Sequence, residues 1–183
     1  MIVTTRLVLR APVPGDIAFR RAALNTPAVQ RHLGGVADRA AIEDSLARDL
    51  AAFTRDGYGF WVVARRDNGE TIGRCGLATI AKQPEAISGR AQIGWAFAEP
   101  YWGQGYGAEA AGAALDYAFE TLGRGEVWGQ TSASNTASTK LMSRLGFVRR
   151  ADLDYHDVDF PAADNPTTIH CLARRVWRAR EAA

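Results

Sequence analysis

Cysteine is scarce in this 183-residue chain: Cys75 and Cys171 each stand alone inside an apolar run, so neither a thiolate metal site nor a disulfide framework is expected. Both are read as reduced and buried. No stretch approaches the roughly 20 consecutive apolar residues that a membrane-spanning helix needs, and the opening M-I-V-T-T-R-L-V-L-R alternates polar and apolar residues where a secretory signal would run apolar. A cytoplasmic location without a membrane partner is therefore expected. Net charge is only +2, too little to argue for nucleic acid, and Arg174, Arg175, Arg178 and Arg180 read as a solvated face.

What is present is ordinary globular material, with 47% apolar and 23% charged residues, far from the composition of disorder. That length supports one sizeable core, so residues 1–183 are expected to form a single domain. Thr4 to Arg10 reads as a strand with Leu7 and Leu9 on one face, followed by the turn P-V-P-G-D and a helix from about Asp16. Ile42, Leu46, Leu50 and Phe53 recur at helical spacing between Asp38 and Asp56. F-W-V-V-A and T-I-G-R-C-G-L-A-T-I then read as an antiparallel hairpin, with Asn68 and Gly69 expected in a type I′ turn.

A loop from Lys82 to Arg90 leads to the strand Q-I-G-W-A-F and a helix from about Gly107 to Leu122. Glu126 to Ser132 reads as a strand and Asn135 to Leu145 as a helix closed by Gly146. A strand starts at Phe147, a loop covers Asp152 to Pro166, and T-T-I-H-C-L-A-R-R-V is the last strand. This order predicts an α/β fold, with a mixed sheet and helices on both of its faces.

The segment E-P-Y-W-G-Q-G-Y-G-A-E, Glu99 to Glu109, sets Gly103, Gly105 and Gly107 between a strand and a helix. Glycines permit a tight turn and close approach of the backbone, while the first amides of the helix and its dipole attract an anion such as a diphosphate. The alternative is a turn whose glycines serve conformation alone. Neither the Lys-Ser/Thr of a nucleoside-triphosphate loop nor Gly-x-Gly-x-x-Gly spacing is present. Ala108, Ala110, Ala111, Ala113 and Ala114 let the following helix press close to a sheet. Further on, A-S-N-T-A-S-T-K-L-M-S-R-L-G-F puts Asn135 at a helix start, as a plain N-cap would be, with Ser138 one turn inside.

Together these segments resemble the GNAT acetyltransferase superfamily, specifically its RimJ/RimL-like branch. T-T-R-L-V-L-R-A-P is similar to the branch's opening strand, Y-W-G-Q-G-Y-G-A-E-A to its pyrophosphate turn and N-T-A-S-T-K-L-M-S-R-L-G-F to its second motif. The resemblance implies the acyl-CoA N-acyltransferase fold, with a mostly antiparallel sheet splayed beside the strand that precedes the turn. It implies acetyl-CoA as co-substrate, with no metal, and transfer of the acetyl group to a primary amine of a peptide, protein N-terminus or small molecule. By the same resemblance Ala96, Phe97 and Ala98 face the pantetheine arm, the segment from Trp102 through Gly103, Gln104, Gly105, Tyr106 and Gly107 to Ala108 holds the pyrophosphate, Asn135 bonds pantetheine and Ser138 lies near the sulfur. A monomer or homodimer fits the family.

Transfer needs a neutral amine, a polarised carbonyl and a proton for the departing thiolate. A backbone N–H near Phe97 and the Ser138 hydroxyl are the expected donors. Many relatives place a tyrosine where this chain has Met142, and some a glutamate where it has Gln130, so the general base is open. Glu99 is a candidate acting through water, and otherwise a solvated strand-end carboxylate. An α-amine, with a pKa of about 7.7–8.0, needs less help than a lysine near about 10.4.

Asp152, Asp154, Asp157, Asp159 and Asp164 could draw a cationic amine or simply form a solvated loop; calcium-loop spacing is absent. His32 and His156 read as surface residues and His170 as a core-strand residue. Trp61, Trp95, Trp128 and Tyr101 are core residues or, in the alternative, a substrate groove. The competing functions are a non-catalytic acyl-CoA-binding module and a phosphate-binding interaction domain.

Overall fold

The computed structural model describes residues 1–81 and 84–181, which fall into two compact units. The first takes in Met1–Leu77 and Trp95–Ala113; the second takes in Ala78–Gly94 and the chain from Ala114 onward.

The first unit begins with β1 (Ile2–Val3) and β2 (Leu7–Arg10), whose Leu7 and Leu9 are fully buried, as their shared face requires. Helix α1 (Ile17–Phe19) widens into a π-turn at Arg20–Leu24 and is followed by α2 (Pro27–Gln30). Helix α3 (Arg39–Asp56) starts where the Asp38 carboxylate accepts the Ala41 amide at 2.8 Å and stops at Gly57, in the left-handed region at φ 74°. It buries Ile42 and Leu46, and its Phe53 meets the buried Trp61 edge-on at 5.9 Å between ring centroids.

Strands β3 (Phe60–Arg65) and β4 (Thr71–Thr79) pair antiparallel, from Phe60↔Gly76 onward, and β2 pairs antiparallel with β3. The β3–β4 turn is not type I′. That turn needs positive φ at two successive residues, whereas Gly69 alone has it, at 74°. The Gly69 amide instead donates back to Arg65 O at 3.0 Å, and Asn68 spends its side-chain oxygen on the Glu70 amide, also at 3.0 Å, which makes a longer loop closed by one left-handed glycine. β4 continues to β5 (Ala91–Phe97) through the bond from Ala98 N to Ile72 O at 3.0 Å. Helix α4 (Tyr106–Asp116) starts in this unit.

The second unit contains β6 (Glu126–Ser132), α5 (Thr136–Leu145), β7 (Val148–Arg149), β8 (Thr167–Ala173) and α6 (Arg174–Glu181). β6 runs antiparallel to β8 from Glu126↔Ala173 to Ser132↔Thr167, and β7 lies antiparallel on the other side of β8. The start of β5 pairs with β6 in parallel, at Gln92↔Trp128. The sheet is therefore mixed, as the element order predicts, and mostly antiparallel, as the resemblance implies. Of the expected loop from Lys82 to Arg90, Lys82 and Gln83 lie outside the described residues, while Glu85–Ile87 form a single 3-10 turn.

The last strand is shorter than expected: it ends at Ala173, and the arginine-rich tail is α6. Helical spacing lets Arg178 reach Glu120 at 2.8 Å and Trp177 donate to Asp116 at 2.7 Å. Those contacts decide between helix and strand for R-R-V-W-R, whose local propensities are mixed.

Candidate functional site

The glycine segment begins as one 3-10 turn, Glu99–Tyr101, and closes into α4 at Tyr106. Gly103 (φ 72°) and Gly105 (φ 81°) occupy the left-handed region, which side chains with a Cβ rarely adopt. At the two ends of the turn, Trp102 N donates to Glu99 O and Glu109 N to Gly105 O, each at 3.1 Å. Between them the amides of Gly103, Gln104, Gly105, Tyr106, Gly107 and Ala108 have no backbone acceptor among the described residues. Gly105, at the position before the helix, has no side chain with which to cap it. The result is a run of unmet donors at the positive end of a helix, which suits a phosphate.

The turn is braced from the opposite end of the sequence. Glu109 accepts from Thr4 Oγ1 at 2.6 Å, from the Arg6 amide at 2.8 Å and from Arg6 Nε at 2.6 Å. Burial works against the Glu109 charge, but these bonds outweigh it and hold its pKa below the ordinary value. Arg6 also donates to Gln104 O at 3.0 Å and lies 4.6 Å above the Tyr106 ring. A recess of about 380 Å³ opens beside it, lined by Thr5, Arg6, Arg65, Arg66, Asp67 and Tyr106.

Along β5 the three expected pantetheine-facing residues differ. The Ala98 amide is spent on Ile72 O, and a Cβ built on Gly73 would lie 2.5 Å from the Phe97 ring, so 73 stands opposite 97 and 72 opposite 98. In an antiparallel ladder bonded at 72–98, the N–H and C=O of Phe97 point away from β4. The carbonyl is taken by the Trp102 indole at 2.7 Å. The Phe97 amide is thus directed away from β4. Glu99 is exposed and accepts from Thr26 Oγ1 at 2.9 Å, which joins it to the N-cap of α2.

Asn135 and Ser138 belong to the second unit. Asn135 caps α5, its Oδ1 accepting the Ser138 amide at 3.1 Å, and its Nδ2 donors take no part in the cap. The Ser138 hydroxyl has no partner among the described residues, and the residue is half-buried. Met142 is 1% exposed, and a Cβ on Gly129 would lie 2.6 Å from its sulfur. Its side chain is a packing element of the β6–α5 contact. Gln130 bonds Gln92 at 3.1 Å and accepts from the Tyr155 hydroxyl at 3.2 Å. Burial and the neighbouring Asp157 raise the Tyr155 pKa, so this phenol stays a donor.

A family model for the acetyltransferase (GNAT) domain matches residues 6–148. The chain belongs to this family. This GNAT chain is 28% identical over 156 residues to an uncharacterized N-acetyltransferase, YoaA, of Bacillus subtilis, covering 84% of the chain and 85% of the relative. It is 30% identical over 125 residues to the FsC-acetyl coenzyme A-N(2)-transacetylase of Aspergillus fumigatus, covering 66% of the chain but 52% of that relative. An acetyltransferase from Agrobacterium tumefaciens superposes with TM-score 0.76 at 28% identity, over 93% of this chain and 92% of its own. RimL, a ribosomal L7/L12 alpha-N-protein acetyltransferase solved with coenzyme A, shares the fold at TM-score 0.73 and 18% identity, over 93% and 96% of the two chains. The chain is thus an N-acetyltransferase of the GNAT family, and it shares its fold with RimL.

Several other expected residues of the GNAT chain are structural. Trp61 and Trp128 are 2% and 3% exposed and belong to the core, so they line no groove. The acidic loop is largely committed: Asp154 pairs with Arg149 and accepts the Ile169 amide at 2.9 Å, and Asp164 accepts from Ser134 Oγ at 2.7 Å. Burial lowers the pKa of His170, keeping it neutral beside Thr168, and drives the Cys75 thiol up to about 12. Arg6, Glu109 and Tyr155 were not legible as site-supporting residues. Only Glu109, an acidic residue in a first helical turn, carried any signal.

Proposed function

We propose that this protein is an acetyl-CoA-dependent enzyme that transfers the acetyl group to a primary amine. The observation carrying this reading is the run of unmet amides from Gly103 to Ala108 at the head of α4, braced by Arg6 and Glu109. A diphosphate supplies the acceptors that this run lacks, and the arginine-lined recess beside it favours a polyanion. RimL and a spermidine N-acetyltransferase of Vibrio cholerae share the fold and were solved with coenzyme A.

In the reaction the neutral amine attacks the thioester carbonyl, the new C–N bond forms and the C–S bond breaks. The nitrogen gives up one proton, and the departing thiolate takes one up. The Phe97 amide polarises the carbonyl, and the Ser138 hydroxyl donates toward the sulfur. With Met142 buried and Gln130 unable to accept a proton at neutral pH, no side chain is required as base for an α-amine, a usable fraction of which is already neutral.

The test is calorimetric titration with coenzyme A, together with thiol release from acetyl-CoA across peptides and small amines. Saturable binding with amine-dependent release is expected. Binding without release would make the protein a non-catalytic acyl-CoA module, and absence of binding would overturn the reading altogether.

A further inference from the structure

Within the first unit, two guanidinium groups converge on a single carboxylate, that of Asp49 on α3. Arg20 donates to Asp49 Oδ2 at 2.6 Å, and Arg74 approaches the same oxygen at 3.3 Å. Both also reach Ser45 Oγ, each at 3.3 Å. The neighbouring Asp16 does not restore neutrality, because it is held by Arg10 at 2.6 Å. The cluster therefore has three arginines for two aspartates, with exposed Arg48 adding to the field at Arg74.

Of these cations Arg74 is the one poorly served. Its two bonds are long, while Arg20 makes a short one, and its guanidinium lies 4.2 Å over the Phe60 ring. About a fifth of its side chain remains exposed (20%), against 6% for Arg20, so it can be reached from solvent. Burial lowers its pKa to about 10, only partly offset by Asp49, which still leaves it charged at neutral pH. A cation this desolvated is stabilised by a second anion.

Its position gives that anion a meaning. With 72 opposite 98 and 73 opposite 97, Arg74 stands opposite Ala96, and alternation puts both side chains on one face of the β4–β5 ladder. Ala96 is also packed beside Leu24, Val29 and Ala98 on that face. Ala96 and Phe97 are the residues expected to meet the arm that carries the acetyl group.

We propose that Arg74, backed by Arg20, selects the acceptor by binding a carboxylate, so that the preferred substrate is an amine that also carries an acidic group. Arg74 forms a charge-assisted, two-pronged contact with that carboxylate. This inference rests on the N-acetyltransferase reading above.

The experiment compares matched acceptors by thiol release: a free α-amino acid, its carboxamide, and a short peptide with an acidic second residue beside its neutral counterpart. Wild-type protein is expected to favour the carboxylate of a pair by about tenfold or more in kcat/KM, the size of a bond to a charged group. The free amino acid and the peptide arms identify which source of carboxylate is used. Arg74→Gln should erase the preference by raising KM for the acidic acceptor while leaving the neutral one within about twofold, and Arg74→Lys should recover part of it. Equal turnover of both members of every pair by wild type, or equal loss on both with Arg74→Gln, overturns the inference. Should Arg74→Gln fail to fold, the wild-type comparison still decides. Coenzyme A titration on the same samples separates the two readings, since absent binding defeats the enzyme assignment, whereas intact binding with indifference to the carboxylate defeats only the role of Arg74.

Discussion

The starts of α4 and α5 pose the same physical problem and solve it in opposite ways. Each helix exposes first-turn amides that need acceptors. At α5 the chain supplies its own, since Asn135 occupies the cap and accepts from Ser138. At α4 the capping position is Gly105, which has no side-chain acceptor to offer, and six consecutive amides find no acceptor among the described residues. A helix start closed by its own side chain is a structural joint, while one left open, and braced from outside by Arg6 and Glu109, keeps the donors that the proposed diphosphate would need.

Closing the open end should have the largest effect. Gly105→Asp introduces a carboxylate among the amides and forces a Cβ into the left-handed region, where Arg6 is already 3.4 Å from the built position. The strain alone is about 1–2 kcal/mol, and like-charge repulsion of a diphosphate adds to it. Coenzyme A affinity by calorimetry is expected to fall by about a hundredfold or more, taking strain and repulsion together. Retention within about tenfold would place the anion elsewhere.

Next in size is the hydroxyl beside the closed end. Ser138→Ala removes one neutral donor, about 1 kcal/mol for an ordinary hydrogen bond and more where charge develops. Turnover should drop by about tenfold while coenzyme A affinity stays within about twofold. A parallel loss of affinity would make Ser138 a binding residue, and unchanged turnover would remove it from the chemistry.

Much of this contrast is legible in the amino-acid sequence. The glycine turn, the Asn135 cap and the Gly146 stop are local features, fixed by residues within a turn of one another. The bracing of the turn was not legible, because Glu109 and Arg6 are 103 positions apart and meet only when β2 is seated beside α4. The Arg20–Asp49–Arg74 cluster was hidden for the same reason, since three separate elements supply one charge group. Local signals also misled where two conformations were close in energy: Asn68-Gly69 marks a turn but not its length, and R-R-V-W-R is strand or helix until Glu120 and Asp116 choose.

The two roles of Asn135, cap and ligand donor, can be separated by side-chain chemistry. Asn135→Ala should cost about 1 kcal/mol of stability, seen as a lower melting temperature. Asn135→Asp keeps a good cap and loses only the Nδ2 donors, so it should melt near wild type. If those donors reach pantetheine, coenzyme A affinity falls about fivefold to tenfold in both variants. If affinity follows the melting temperature instead, Asn135 is a cap and nothing more.

The smallest expected effect tests the brace of the open end by pH. Since the Glu109 pKa is held below its ordinary value of 4.5, its bonds to Thr4 and Arg6 stabilise the fold at neutral pH, and that contribution is lost as pH falls below the ordinary value and through the folded one. Asp16, held low by Arg10 against the cost of its burial, has the same sign. Glu109→Gln should therefore lower the melting temperature at pH 7, and the gap from wild type should narrow as the pH is taken below 4.5. Asp16→Asn should show a similar narrowing but, being remote in sequence from the turn, leave coenzyme A affinity at pH 7 unchanged, whereas Glu109→Gln weakens it. Arg6 is 45% exposed, so solvent screens the pair and keeps the stability change below that of the α5 cap. A gap that stays constant across the acid range would mean that Glu109 holds the turn by shape and hydrogen-bond geometry, with its charge contributing nothing.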